Sequence, residues 1–246
     1  MEIRHIPVLG PTDYLYHPNT MEATPPPLPI IHDKTPLIAS FLTPLLGIHR
    51  GRNQTFESPN PPFFLGLSGI QGSGKTTLCN HLTTALRSSP HNLRALTISI
   101  DDLYLPHSQL SSLSALCPLN PFLRQRGPPG THDVELGEDV LSKLAIQKEP
   151  VKIPRYDKSK HGGKGDRLKE DLWDEETPPW DVVILEGWCV GFRSLPEEQV
   201  ERKWGGSKTR GEGTLGTHRL EDLLWINRTL GRYTGLWDRL DALVHM

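Results

Sequence analysis

An apolar run, Phe63-Phe64-Leu65-Gly66-Leu67-Ser68, passes without a spacer into Gly69-Ile70-Gln71-Gly72-Ser73-Gly74-Lys75-Thr76-Thr77. The residues that follow put Leu78, Leu82, Ala85 and Leu86 on one face of a helix spanning Lys75–Arg87. A buried strand that turns on glycines straight into an amphipathic helix is a strong constraint on fold, because the turn must be tight and its amides must find partners. The spacing Gly-x-x-x-x-Gly-Lys-Thr supplies those partners as anions. Glycines let the chain wrap a phosphate with N–H groups pointing inward, and the helix N-terminus adds partial positive charge. On this pattern Gly69, Ile70, Gln71, Gly72, Ser73, Gly74, Lys75, Thr76 and Thr77 are expected to bind a nucleoside triphosphate, ATP. Lys75 would reach the β- and γ-phosphates, and the Thr76 hydroxyl would serve Mg²⁺.

The rest of the core continues the alternation. Leu96, Ile98 and Ile100 alternate with Thr97 and Ser99 as a second strand. Leu136–Gln147 has helical periodicity, Asp181–Leu185 is a third buried strand, and Leu220–Tyr233 is helical again. Strands alternating with helices predict an α/β fold of the P-loop NTPase type, three layers deep, with a mainly parallel sheet. Residues 1–62 hold 12 of the 23 prolines. Pro25-Pro26-Pro27 and Pro29 disfavour helix, so residues 1–29 are expected to form a proline-rich flexible extension. Residues 30–62 are read as an amphipathic helix, with Pro36 near its start and Gly47 near its end, followed by a turn-rich linker. The P-loop domain is assigned to residues 63–246. Within it Trp204–Thr217, rich in Gly and charge, is expected to be a mobile surface loop.

Charge narrows the function classes. The chain has 246 residues, a formal net charge of -2, and Lys+Arg 27 against Asp+Glu 29, which gives no electrostatic case for nucleic acid. No stretch approaches a membrane span, and no signal or transit segment is seen, so a cytoplasmic protein is expected. Cys79, Cys117 and Cys189 are far apart and form no Cys-x-x-Cys pair, which argues against a disulfide framework or structural zinc.

Two carboxylate groups sit where such a fold does chemistry, beyond the carboxyl ends of strands. Asp101-Asp102 follows the second strand. Either can accept the proton of an attacking hydroxyl or hold Mg²⁺ through water. Glu186 ends the third strand after four apolar residues, a Walker-B-like position suited to orienting Mg²⁺-bound water. Two polar loops offer an acceptor pocket. The first presents Arg126, His132 and Asp133. The second runs from Pro154 to Arg167 and presents Tyr156, Lys158 and Arg167. Arg grips carboxylates through two hydrogen bonds, and an Asp accepts from substrate hydroxyls.

Taken in order, these motifs resemble the D-glycerate 3-kinase family of plants and fungi, including its fungal ATP-binding kinase-like members. They are Ser99-Ile100-Asp101-Asp102-x-Tyr104, Arg126-Gly127-x-x-Gly130-Thr131-His132-Asp133, Pro154-Arg155-Tyr156-Asp157-Lys158-Ser159, Gly163-x-Gly165-Asp166-Arg167 and Glu186-Gly187-Trp188. The wider group contains the uridine kinases, pantothenate kinases and phosphoribulokinases. The resemblance implies transfer of the γ-phosphoryl group of ATP to the 3-hydroxyl of D-glycerate with Mg²⁺, Asp101 being the base and Asp102 the second choice. Lys75 and Glu186 complete the implied catalytic set, and a small hydroxy acid is the implied partner. Such kinases continue past the strand beginning near Asp241 into a lid helix and an adenine-contacting segment, so the domain is expected to be truncated at its C-terminus. Two alternatives stay open: a kinase for a nucleoside or pantothenate-like acceptor, and an ATP-binding or hydrolysing protein without a small acceptor.

Overall fold

The computed structural model describes residues 8–9, 33–52, 60–211 and 213–246. Its centre is a five-stranded sheet, ordered β1-β9-β2-β8-β3, with every pair parallel. The strands are β1 (Val8–Leu9), β2 (Phe63–Ser68), β3 (Ala95–Ser99), β8 (Val182–Gly187) and β9 (Ala242–His245). The helices are α1 (Thr35–Arg52), α2 (Lys75–Arg87), α3 (His107–Leu116), α4 (Val134–Ile146), α5 (Glu197–Arg210), α6 (Leu220–Leu230) and the single turn α7 (Thr234–Trp237). Between α4 and β8 lie two small antiparallel ladders, β4 (Val151–Ile153) with β7 (Asp174–Glu176), and β5 (Tyr156–Asp157) with β6 (Asp166–Arg167).

Successive side chains of a strand point to opposite faces, and the two cores follow that rule residue by residue. Phe63, Leu65, Leu67, Val182, Ile184, Ala242 and Val244 face α1 and α2, packing with Ile38, Leu42, Leu46, Leu78, Leu82 and Leu86. Phe64, Leu96, Ile98, Val183 and Leu185 face the other way, against Val140, Leu141, Leu144, Tyr233 and Trp237. A sheet covered on both faces needs apolar residues at every position, which is why β2 and β8 read as unbroken apolar runs. Gly66 interrupts β2 because a Cβ there would come within 2.8 Å of the Leu240 and Leu243 side chains.

Several boundaries differ from the sequence reading. Helix α1 does not end at Gly47 but continues to Arg52. Its last turn is tied down where His49 Nε2 meets the Pro61 carbonyl at 2.9 Å and Arg50 pairs with Asp181 at 2.9 Å. The expectation of a mobile loop over Trp204–Thr217 is wrong. Residues up to Arg210 belong to α5, and Leu215–Thr217 folds back on it as a 3₁₀ turn. Acidic residues in the first turn, basic residues in the last, and Gly211 at φ 65° as the C-terminal stop outweigh the poor helix propensity of Gly205 and Gly206. The turn is then fastened by Trp204 Nε1 donating to the His218 carbonyl at 2.9 Å and Gly216 N donating to Ser207 Oγ at 3.0 Å. The proline-rich extension and the linker fall largely outside the described residues. Val8–Leu9 nevertheless pairs with Leu243–Val244 as the sheet's edge.

The loop before α4 is anchored from below. His132 is 4% exposed and its ring stacks on Tyr104 with centroids 4.5 Å apart. Its Nδ1 lies 2.8 Å from the Tyr233 hydroxyl, which also accepts the Gly130 N–H at 2.8 Å. Burial pushes the imidazole down to about 4, only partly opposed by Asp101. The folded state therefore holds a neutral ring while the unfolded chain binds a proton below about pH 6.5. The resulting stabilisation is complete above that pH and is lost as pH falls towards 4, a swing of about 3 kcal/mol. Urea melts of wild type and His132→Gln across pH 4–7 should show a steeper acid loss in wild type; parallel curves would refute a neutral buried ring. A second expectation concerns Gly187, where an added Cβ would overlap Ile100 Cγ2. Gly187→Ala should cost about 1–3 kcal/mol in the same melts.

Candidate active site

The carboxyl ends of β2, β8 and β3 lie side by side, and each contributes one element of a cluster. Beyond β2 the turn Gly69–Thr76 runs into α2, with Gly72 at φ 78° and Gly74 at φ 82°. A side chain at either position would be strained, so the glycines are needed for conformation. Helix α2 has no side-chain cap. Its first amides are thus directed at the space in front of the turn, as an anion site requires. Two further features point the same way. Lys75 Nζ donates to the Ile70 carbonyl across the turn at 2.9 Å, and Ser73 Oγ is buried without a hydrogen-bond partner. Thr76 and Thr77 are exposed on the first turn of α2.

Strand β8 supplies Glu186. Parallel register places it opposite Leu67 of β2 and Ser99 of β3, between the glycine turn and the end of β3. Burial pushes its carboxyl up, and the negative charge of Asp101 adds to this, while the Ser99 hydroxyl and Lys75 pull the other way.

Strand β3 ends in one 3₁₀ turn, Ile100–Leu103, capped where Asp101 N donates to Ser99 Oγ at 3.3 Å. Capping is thus done by serine, and both aspartates are free for other partners. Asp101 Oδ2 accepts from Lys158 Nζ at 2.6 Å, and Oδ1 accepts from the Tyr104 hydroxyl at 2.8 Å. Burial would raise its carboxyl, but these two donors and the lysine charge outweigh it and hold Asp101 below the usual range. Asp102 turns to the other side. It accepts the Tyr156 N–H at 3.1 Å and Arg155 Nη1 at 2.9 Å, yet burial prevails and its carboxyl is raised.

The two polar loops pack on this turn. Tyr104 and His132 form an isolated antiparallel bridge. Asp133 caps α4, accepting Leu136 N at 3.1 Å, and its second oxygen takes Arg167 Nη1 at 2.7 Å. Arg126 donates to the Gly163 carbonyl at 2.8 Å and lies over the Tyr156 ring at 5.6 Å. Of the residues singled out in the sequence, Lys75, Asp101, Glu186 and Lys158 converge. Asp133 and Arg167 are paired with each other, and His132 is buried behind Tyr104. Three residues were missed. Tyr104 and Arg155 stand within the motifs with no spacing that marks out their roles, and Tyr233 lies about 100 residues away in sequence, with no local signal to link it to His132. A cavity of about 550 Å³ opens elsewhere, between α4 and the β4–β7 ladder beside Val140, Lys143 and Trp173, and takes in none of the cluster. Among the described residues no group of three or more His, Cys, Asp or Glu side chains is arranged to hold a metal ion, and no helix is long and apolar enough to cross a membrane.

Comparison with known proteins agrees with this geometry. No family model matches the chain. The uncharacterized kinase mug58 of Schizosaccharomyces pombe is 40% identical over 195 residues, covering 77% of this chain and 67% of the relative. The chloroplastic D-glycerate 3-kinase of Arabidopsis thaliana is 38% identical over 188 residues, covering 75% of this chain but 37% of the relative. Among solved structures, D-glycerate 3-kinase from Cryptococcus neoformans superposes with a TM-score of 0.79 at 36% identity, over 86% of this chain and 72% of that one. A P-loop strand–turn–helix, a parallel sheet and relatives of this similarity lead to one assignment: the chain belongs to the D-glycerate 3-kinase family of P-loop kinases.

Proposed function

We propose that the protein transfers the γ-phosphoryl group of ATP to a hydroxyl of a small hydroxy acid, D-glycerate in the first instance. The observation that carries this reading is the convergence of Lys75, Glu186 and the Asp101–Lys158 pair where β2, β8 and β3 end. The phosphates would lie on Gly69–Thr76, taking the N–H groups of the turn and the unpartnered Ser73 hydroxyl. Lys75 would exchange the Ile70 carbonyl for phosphate oxygens. The available donors, the Thr76 hydroxyl and the Glu186 carboxylate, are oxygens of the kind Mg²⁺ prefers, with phosphate and water completing its shell. When bound, the ion neutralises charge across the phosphoryl oxygens.

Asp101 is the base in this reading. It stands at the strand end, and its low proton affinity keeps it ionised near neutral pH. Phosphoryl transfer leaves little covalent chemistry to the protein, so a weak but well-placed carboxylate suffices. Asp102 is the poorer choice, since a main-chain amide and an Arg155 also bonded to Asp174 hold its oxygens, whereas the Lys158 partner of Asp101 is exposed. Lys158 is 56% exposed and can turn to an acceptor's carboxylate, while Arg126 is half-buried and bonded to the Gly163 carbonyl. Asp133 is paired with Arg167, His132 is bonded to Tyr233 and Tyr156 to Asp102, and these fixed groups would shape the acceptor pocket. The D-glycerate assignment follows the names of the relatives.

ADP release should depend on D-glycerate and fail with uridine and pantothenate. Lys75→Ala and Asp101→Asn should each lower turnover by about 10²–10³. In a thermal-shift assay Asp101→Asn should keep its stabilisation by Mg-ATP, whereas Lys75→Ala should lose most of it. Normal turnover in Asp101→Asn removes Asp101 as the base. Acceptor-independent ADP release, unchanged by any hydroxy acid, removes the kinase reading.

A further inference from the structure

We infer that Lys158 is a latch on Asp101, holding the base occupied until the carboxylate of an acidic acceptor draws the ammonium away. The inference rests on the kinase reading above and adds a specificity and coupling device to it. Lys158 sits in the turn after β5, at the outer edge of the β5–β6 ladder, and crosses 57 positions of sequence to reach Asp101 at 2.6 Å. The other oxygen of Asp101 already accepts the Tyr104 hydroxyl. Tyr104 is buried and stacked on His132, so that phenol is fixed. The lysine is therefore the one movable partner, and its side chain is the more exposed of the pair, at 56% against 30% for Asp101. An ion pair of this exposure is weak, which is what a displaceable contact requires. Arg155, by contrast, is held by Asp102 and by Asp174 at 2.6 Å and is not free to move.

With the latch closed, Asp101 Oδ2 is engaged by an ammonium and is a poor proton acceptor. Water beside bound ATP is then not activated, and hydrolysis is suppressed. An acceptor carrying a carboxylate competes for Lys158. Once the ammonium has moved, the acceptor oxygen bonds to the γ-phosphorus and the bond from that phosphorus to the ADP oxygen breaks. The hydroxyl proton passes to the freed carboxylate oxygen of Asp101. An uncharged polyol such as glycerol offers the hydroxyl but cannot open the latch.

The test is ATP hydrolysis without acceptor, followed as ADP release from the full chain with Mg-ATP. Lys158→Met should raise it by at least about tenfold, part of the roughly 10²–10⁴-fold that a positioned general base contributes. Lys158→Arg should restore suppression, and the rise should vanish in Lys158→Met combined with Asp101→Asn. D-lactate, which has the carboxylate but no 3-hydroxyl, should stimulate hydrolysis by wild type and leave Lys158→Met unchanged. For D-glycerate itself, Lys158→Met should lower kcat/KM while KM for ATP stays constant. Hydrolysis at or below the wild-type rate in both Lys158→Met and Lys158→Gln, with wild-type thermal stabilisation by Mg-ATP, overturns the latch. So does a rise that survives Asp101→Asn. If hydrolysis rises as expected and D-lactate stimulates the wild type but no hydroxy acid is phosphorylated, the latch stands and the kinase reading falls; if no hydroxy acid stimulates, the latch falls as well.

Discussion

The register of β2, β8 and β3 is the constraint on which the site depends. Glu186 lies opposite Leu67 on one side and Ser99 on the other, and Ser68 opposite Gly187. Because side chains alternate faces, a slip of one residue in β8 would exchange Val182 and Ile184 for Val183 and Leu185 in their respective cores. It would also carry Glu186 away from Lys75 and Asp101. The apolar packing on both faces forbids that slip, so the hydrophobic core sets the spacing of the charged groups. Gly187 has a similar double role. It ends β8 where Ile100 closes in, and Ile100 begins the turn that carries Asp101.

Electrostatics then separates groups that the sequence presents as equivalent. Asp101 and Asp102 are neighbours on one 3₁₀ turn, yet their proton affinities move in opposite directions. Both are half-buried. Asp101 has an ammonium and a phenol on its two oxygens, whereas Asp102 has a guanidinium shared with Asp174 and a main-chain amide. Glu186 shifts upward as well, chiefly because it is buried, with the negative charge of Asp101 adding to the effect. Environments that push adjacent carboxylates apart are a common way for one cluster to hold several roles.

What could be read from the chain alone follows a physical division. The strands β2 and β8, helix α2 and the glycine turn are local patterns, written in consecutive residues, and the structure places them at the expected positions. Helix α3 was not foreseen, because of its residues only Leu110 is buried and Ser111 and Ser112 bond back to their own backbone. The β4–β7 and β5–β6 ladders escaped notice because each strand is two or three residues long, too short for a period to register. Helix α5 was hidden by Gly205 and Gly206, and its support comes from Trp204 and Ser207 reaching the following turn. At the site, residue types were legible but partners were not. Nothing in the spacing of Asp101 and Lys158, or of His132 and Tyr233, announces a contact.

The buried aromatic stack joins those unannounced contacts into one support. The Tyr233 hydroxyl accepts the Gly130 N–H, and its own proton has the His132 Nδ1 as partner. That arrangement puts the imidazole proton on Nε2, which is buried and unpartnered. Burial penalises a second proton on such a ring, in line with its depressed proton affinity. A neutral ring can stack flat on Tyr104 without placing a buried positive charge behind Asp101. Among the described residues the only cation directly bonded to Asp101 is then Lys158, which comes from a solvent-facing turn. The fold thus fixes the base from the inside with uncharged groups and leaves its charge to be balanced from the outside, where an incoming ligand can compete.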